Sequence, residues 1–92
     1  MTEDDEEVVS WLAAPQHAPV IASDGHEVGR VVDAAGLKSD DIFHGIVFQP
    51  TGISRKHVLA PASDVARITN RAVYLSVDAA TAETYEDFER SL

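Results

Sequence analysis

Between Pro19 and Val77 the apolar residues fall mostly at alternate positions, whereas near both ends they fall three and four apart. Alternation marks strands with one buried face, and the wider spacing marks amphipathic helices. The alternation predicts six short strands. The first, Pro19 to Ala22, turns back through Ser23-Asp24-Gly25-His26, where Gly25 supplies the positive φ of a tight hairpin. The return strand, Glu27 to Ala34, sets Val28 and Val32 on one face with Arg30, and Gly29, Val31 and Asp33 on the other. Gly29 reads as a bulge or a close backbone approach, the device by which a small barrel turns a corner.

A polar loop, Gly36 to Asp41, leads into the most apolar strand, Ile42 to Gln49. Phe43 and Val47 lie on one face of it, and Ile42, His44, Ile46 and Phe48 on the other. A strand facing water should be apolar on one side only, so this one predicts a cover for its outer face. Pro50-Thr51-Gly52 turns the chain into a strand from Lys56 to Ala60. Pro61, Ser63 and Asp64 predict a helical turn through Val65 and Ala66, then a brief strand at Arg67 to Thr69. Asn70 and Arg71 turn into the last strand, Ala72 to Val77, with Val73, Leu75 and Val77 inward.

In the amino-terminal arm, Val8, Trp11 and Leu12 predict a helix from Glu3 to Ala13, ended by Pro15. In the carboxy-terminal arm, Tyr85, Phe88 and Leu92 predict a second helix from Thr81, with Thr81 as its N-cap. Helices this short are marginal alone, so one or both are expected to dock, in cis or across a dimer and with Trp11 or Phe88 as anchor, on the outer face of Ile42 to Gln49; the alternative is frayed arms and an outer face that awaits a partner. The organisation is then an acidic helix and linker (1–17), a β domain (18–78) and an acidic helix (79–92).

Composition narrows the class. A chain of 92 residues supports one small core, and 45% apolar with 25% charged residues is an ordinary globular balance. The absence of cysteine removes disulfides, thiolate zinc sites and cysteine nucleophiles, and suits a reducing cytoplasm. The apolar runs fall short of the roughly 18 residues of a membrane helix, and the chain opens acidic where a secretory leader would open basic. A soluble cytoplasmic protein is expected. Of the net charge of −9, the two arms carry −8: five acids before Val8, and four acids against Arg90 after Asp78. Residues 18–78 hold seven acids and six bases. Such arms repel free nucleic acid, whose binding depends on Lys and Arg.

The middle of the chain resembles a PRC-barrel domain, the small β-barrel shared by the photosynthetic reaction centre H subunit and a ribosome maturation factor. The resemblance rests on Ala18-Pro19-Val20, Asp24-Gly25 and Val28-Gly29-Arg30-Val31-Val32-Asp33, then His57-Val58-Leu59-Ala60-Pro61, Asp64-Val65, Ile68 and Ala72-Val73-Tyr74-Leu75. It covers about two thirds of the chain, with a shorter connection at Gly36 to Asp41 than many members have. It implies a small antiparallel PRC-like β-barrel of about six strands between short helices, acting as a docking platform without shared catalytic residues.

Other chemistry finds little purchase. His17, His26, His44 and His57 are 9, 18 and 13 positions apart, outside zinc-motif spacing, so no metal or cofactor is expected. Ser54 lacks the second glycine of a nucleophile elbow, and the five glycines are too scattered to cradle phosphate. Arg55-Lys56-His57 is the one basic cluster, a foothold for RNA, an acidic partner or one of the chain's own acidic arms, or a charged edge that keeps strands from pairing. The expected function is a non-enzymatic protein-interaction or assembly module, with an unidentified protein or a second copy as partner. An RNA-processing or ribosome-associated factor is the alternative that the resemblance suggests. The candidate partner surface is Trp11, Ile42, Ile46, Phe48, Arg55, Lys56, Tyr85 and Phe88; Gly25, Gly29 and Pro61 are the structural turn and bulge positions.

Overall fold

In the computed structural model, residues 6–52 and 57–87 are described. β1 (Pro19–Ile21) and β2 (Glu27–Leu37) form the hairpin around Gly25, whose φ is +91°. β3 (Ile42–Pro50) and β4 (Val58–Pro61) follow, and β5 (Val65–Ile68) and β6 (Val73–Leu75) complete a six-stranded sheet ordered β4-β3-β2-β1-β6-β5. Every neighbouring pair is antiparallel except β1 and β6, which run parallel.

The protein is therefore mainly β with six strands, but the sheet is mixed and open where a closed antiparallel barrel was expected. β4 and β5 are its two edges. They are joined by a 3₁₀ turn, Ala62–Asp64, flanked by extended residues at Pro61 (φ −64°, ψ 154°) and Val65 (φ −93°, ψ 112°). That geometry redirects the chain without folding β5 back onto β4, and β5 pairs with β6 instead. The turn also lies earlier than expected, leaving Val65 and Ala66 in the strand.

Four extra residues bend the sheet and reset its alternation; one is Ala66, left over where the β5–β6 register passes from Val65↔Leu75 to Arg67↔Tyr74. The β1–β2 register passes from Val20↔Gly29 to Ile21↔Glu27, which leaves Val28 over. In β2–β3 it passes from Val31↔Phe48 to Asp33↔Val47, leaving Val32 over, and from Ala35↔Gly45 to Gly36↔Phe43, leaving His44 over. A bulge puts two residues opposite one, so side chains beyond it change face. Val28 thus packs on the same core as Val31, and Phe43 on the same core as Ile46 and Phe48, against the simple alternation. His44, placed by simple alternation on the face of Ile46, is exposed. The segment expected as a loop from Gly36 is strand to Leu37, closed by a 3₁₀ turn at Lys38–Asp40.

The core joins Val20, Val31, Ile46, Phe48, Val58, Ala60, Ile68, Val73 and Leu75 to Ala82 and Tyr85 from beyond the sheet. Each large aliphatic or aromatic member is worth roughly 1.5–3 kcal/mol of burial. On the opposite face of β3, Val47 is also buried, flanked across the ladders by Asp33 and Leu59.

Among the described residues neither arm forms the helix expected of it; Glu3 to Asp5 and Phe88 to Leu92 lie outside them. Glu6 to Val9 lies extended against β5: Val8 bridges Thr69, the Val9 N–H donates to the Ile68 carbonyl (2.9 Å), and the Asn70 N–H donates to the Glu7 carbonyl (2.9 Å). Only Trp11–Ala13 turns, as a single 3₁₀ turn. Three apolar residues do not hold a helix against an open strand edge that offers backbone partners, and the β-branched pair Val8-Val9 suits the extended form. At the other end, α1 (Ala79–Ala82) is one turn whose N-cap is Asp78; its Oδ1 accepts from the Thr81 N–H at 2.9 Å. Thr81 lies inside that turn, so it is not the cap. The chain then leaves the helix so that Tyr85 reaches the core and Asp87 bridges Val58 of β4. Trp11, Ala82 and Tyr85 pack with the core cluster holding Ile46 and Phe48, so these three dock at the inner face of β3, where the outer one was expected. Each sheet edge thus receives one terminus.

Candidate interaction surface

The residues singled out from the sequence separate into core and surface. Ile46 (0% exposed) and Phe48 (2%) are core, and Tyr85 is buried with its ring edge-on to Phe48, centroids 6.3 Å apart. These three are not available to a partner, because the bulges turn the most apolar face of β3 inward. Tyr85 also donates its hydroxyl to Asp64 Oδ2 (2.9 Å), and burial first, then that bond, raises its pKa. Ile42 remains exposed, opposite exposed Leu37 at the end of the β2–β3 hairpin. Arg55, Lys56 and Phe88 lie outside the described residues. Gly25 stands in open space, Gly29 is pressed against the Gln49 carbonyl and the Phe48 ring, and Pro61 ends β4.

Trp11 is half-buried. Its ring stacks on Phe43 with centroids 5.5 Å apart, its Nε1–H donates to Asp41 Oδ1 (3.0 Å), and its six-membered ring covers Gly36, where an added Cβ would come within 2.9 Å of it. Asp41 holds φ at +55°, a conformation that aspartate tolerates better than most residues. The indole pins the arm to the hairpin end, while Leu12 beside it stays exposed. Trp11 is the only tryptophan, so its emission is expected blue-shifted from that of a free indole. Asp41→Ala should move it toward the red; a free-indole spectrum in the unaltered chain would contradict this seating.

A second anchor, not legible in the sequence, fixes the start of the arm. Glu6 Oε2 accepts from the Thr69 hydroxyl (2.7 Å) and the Tyr74 hydroxyl (2.5 Å), while Asn70 Oδ1 accepts from the Glu7 N–H (2.9 Å). Thr69 is buried and also bonds the Ala72 carbonyl and the Arg71 and Ala72 N–H groups. The Arg67 guanidinium lies 4.5 Å above the Tyr74 ring. The Tyr74 hydroxyl chiefly, then Thr69, hold the Glu6 carboxyl below the ordinary glutamate value, and Arg67 and Arg71 add attraction. The same contact raises the Tyr74 pKa.

A lowered folded-state pKa stabilises the charged form. The contribution is therefore fully present above the unfolded value of about 4.3 and is lost as pH falls through the lowered one. Titration of the Val9 and Asn70 amide signals should show the arm attached through the ordinary glutamate range and loosening only as the pH falls below it. Tyr74→Phe should move that loosening to higher pH; an unchanged midpoint would exclude the hydroxyl as its cause.

The cleft between the β1–β2 turn and α1, about 200 Å³ and lined by Val28, Phe48, His26, Glu27 and Glu83, is below the roughly 300–1,000 Å³ of ligand sites for drug-sized molecules; the one beside Leu59, Pro61, Thr84 and Tyr85, about 340 Å³, is at the lower end of that range. Among the described residues no group of three or more His, Asp or Glu is arranged to hold a metal ion, and no helix is long and apolar enough to cross a membrane. No protein-family model matches the chain, and no curated protein matches it.

Proposed function

We propose that this chain is a non-enzymatic protein-interaction or assembly module, a cytoplasmic variant of the PRC-like barrel whose sheet is left open. The observation that carries the reading is that, among the described residues, each edge of the sheet is met by a short terminal segment: Val8 bridges Thr69 beside β5, and Asp87 bridges Val58 of β4. Exposed strand edges are the usual sites at which one chain adds to another, and native proteins cover them when idle. Exposed Val8, Leu12, Leu37 and Ile42 add apolar area on the arm and the adjacent hairpin. The PRC-like motif residues and the bulged second strand support the family analogy. Zero cysteines support a reducing compartment.

The test is affinity capture with the tagged full chain, followed by direct titration of each captured protein in purified form. A specific protein binding at micromolar Kd or tighter, weakened by Leu37→Asp with Ile42→Asp or by alterations at a sheet edge, is expected. Retention of RNA at physiological salt with no protein ligand would replace this reading with the ribosome-associated one.

A further inference from the structure

The contacts that hold Glu6 to Val9 are not specific to belonging to the same chain. Two backbone bonds, at Ile68 and Asn70, require only an extended strand. The Asn70 side chain reads a backbone N–H, and the Thr69 and Tyr74 hydroxyls read a carboxylate. Arg67 and Arg71 add attraction for a negative charge at that point. Val8, between these contacts, is 72% exposed, so the arm is gripped at its ends and little covered along its length. We propose that the β5 edge is a receptor for an extended acidic peptide segment of a partner protein, and that the chain's own Glu6 to Val9 occupies it as a built-in competitor. This rests on the interaction-module reading and names the partner's chemistry. Recognition is by strand addition, with a Glu or Asp of the partner taking the place of Glu6 between the two hydroxyls. Because the competitor is tethered, it acts at a local concentration in the millimolar range, and a partner must match its contacts and add others.

The probe is a fluorescein-labelled peptide copying residues 3–10, titrated against the full chain by anisotropy. Loosening the tethered copy without altering the receptor, by Glu6→Gln or separately by Val9→Pro, is expected to tighten peptide binding by roughly fivefold or more. Adding Thr69→Val and Tyr74→Phe to Glu6→Gln should abolish the gain, and so should a Gln in the peptide at the Glu6 position. Amide shifts induced by the peptide should centre on Ile68, Asn70 and Tyr74. No gain with either loosened chain overturns the proposal, as does a gain that survives loss of the two hydroxyls. Shifts centred on Leu37 and Ile42 would overturn it while leaving the interaction-module reading intact; that reading fails separately if affinity capture of the full chain gives no protein ligand.

Discussion

Phe48→Ala should lower the stability of this protein by about 3–5 kcal/mol, the range for removing a buried aromatic ring and leaving a cavity. Phe48 stands opposite Val31 on one side and Val58 on the other, and meets the Tyr85 ring edge-on, so its loss detaches the carboxy-terminal segment as well as emptying the sheet. Domains of this size have about 5–15 kcal/mol in total and lose roughly 4–8 °C per kcal/mol. The melting temperature should therefore fall by about 15 °C or more, or cooperative unfolding should vanish. Phe48→Leu should cost about a third as much. Ile42→Ala, at a position 45% exposed on the same strand, should cost under about 1 kcal/mol. Equal losses at Phe48 and Ile42 would contradict the placement of the core.

Gly29→Val is the second large loss, for a different reason. A Cβ at Gly29 would overlap both the Gln49 carbonyl oxygen and the Phe48 ring. The carbonyl belongs to the paired backbone of β3 and has nowhere to go, so either the β2–β3 ladder opens or Phe48 leaves its rotamer. Overpacking of this kind costs about 1–3 kcal/mol, and a branched side chain lies at the upper end. Gly25→Val tests the hairpin by contrast: nothing lies within 4 Å of an added Cβ there, so the cost comes only from φ +91°, about 1–2 kcal/mol. Urea denaturation of the two variants should rank Gly29→Val as the less stable. A Gly29→Val protein as stable as the parent would mean that β2 does not press on β3 at that point.

Particular residues show where sequence reasoning held and where it stopped. Strand content was legible because Val73 and Leu75, or Ile46 and Phe48, obey the period-two rule locally. The glycine turn at Gly25 needs only its neighbours to be read. The bulges at Val28, Val32 and His44 carry no composition signal, since each is one residue left over between two ladders. Missing them reversed Phe43 and made Ile46 and Phe48 look available to a partner. The arms failed for a non-local reason. Val8, Trp11 and Leu12 fit a helix as well as anything short can, but the choice was made by the β5 edge some sixty residues away, where Asn70 meets Glu7 and Tyr74 meets Glu6. The parallel pairing of β1 with β6 is equally remote in sequence. Trp11 was recognisable as an anchor, but its partners Phe43, Asp41 and Gly36 were not, because they lie at a hairpin end that the extension of β2 to Leu37 creates.

The edge of β5 is closed by the chain's own amino terminus, and the seating of the whole arm follows from that closure. Amide hydrogen exchange of the full chain at neutral pH, read residue by residue, addresses it directly. The Val9 and Asn70 N–H groups, which donate to Ile68 and Glu7, should exchange at least about tenfold more slowly than unstructured amides, and Glu6→Gln should remove much of that protection while the Val31 amide in the sheet keeps its own. Exchange of Val9 and Asn70 at unprotected rates in the unaltered chain, with Val31 still protected, would contradict it.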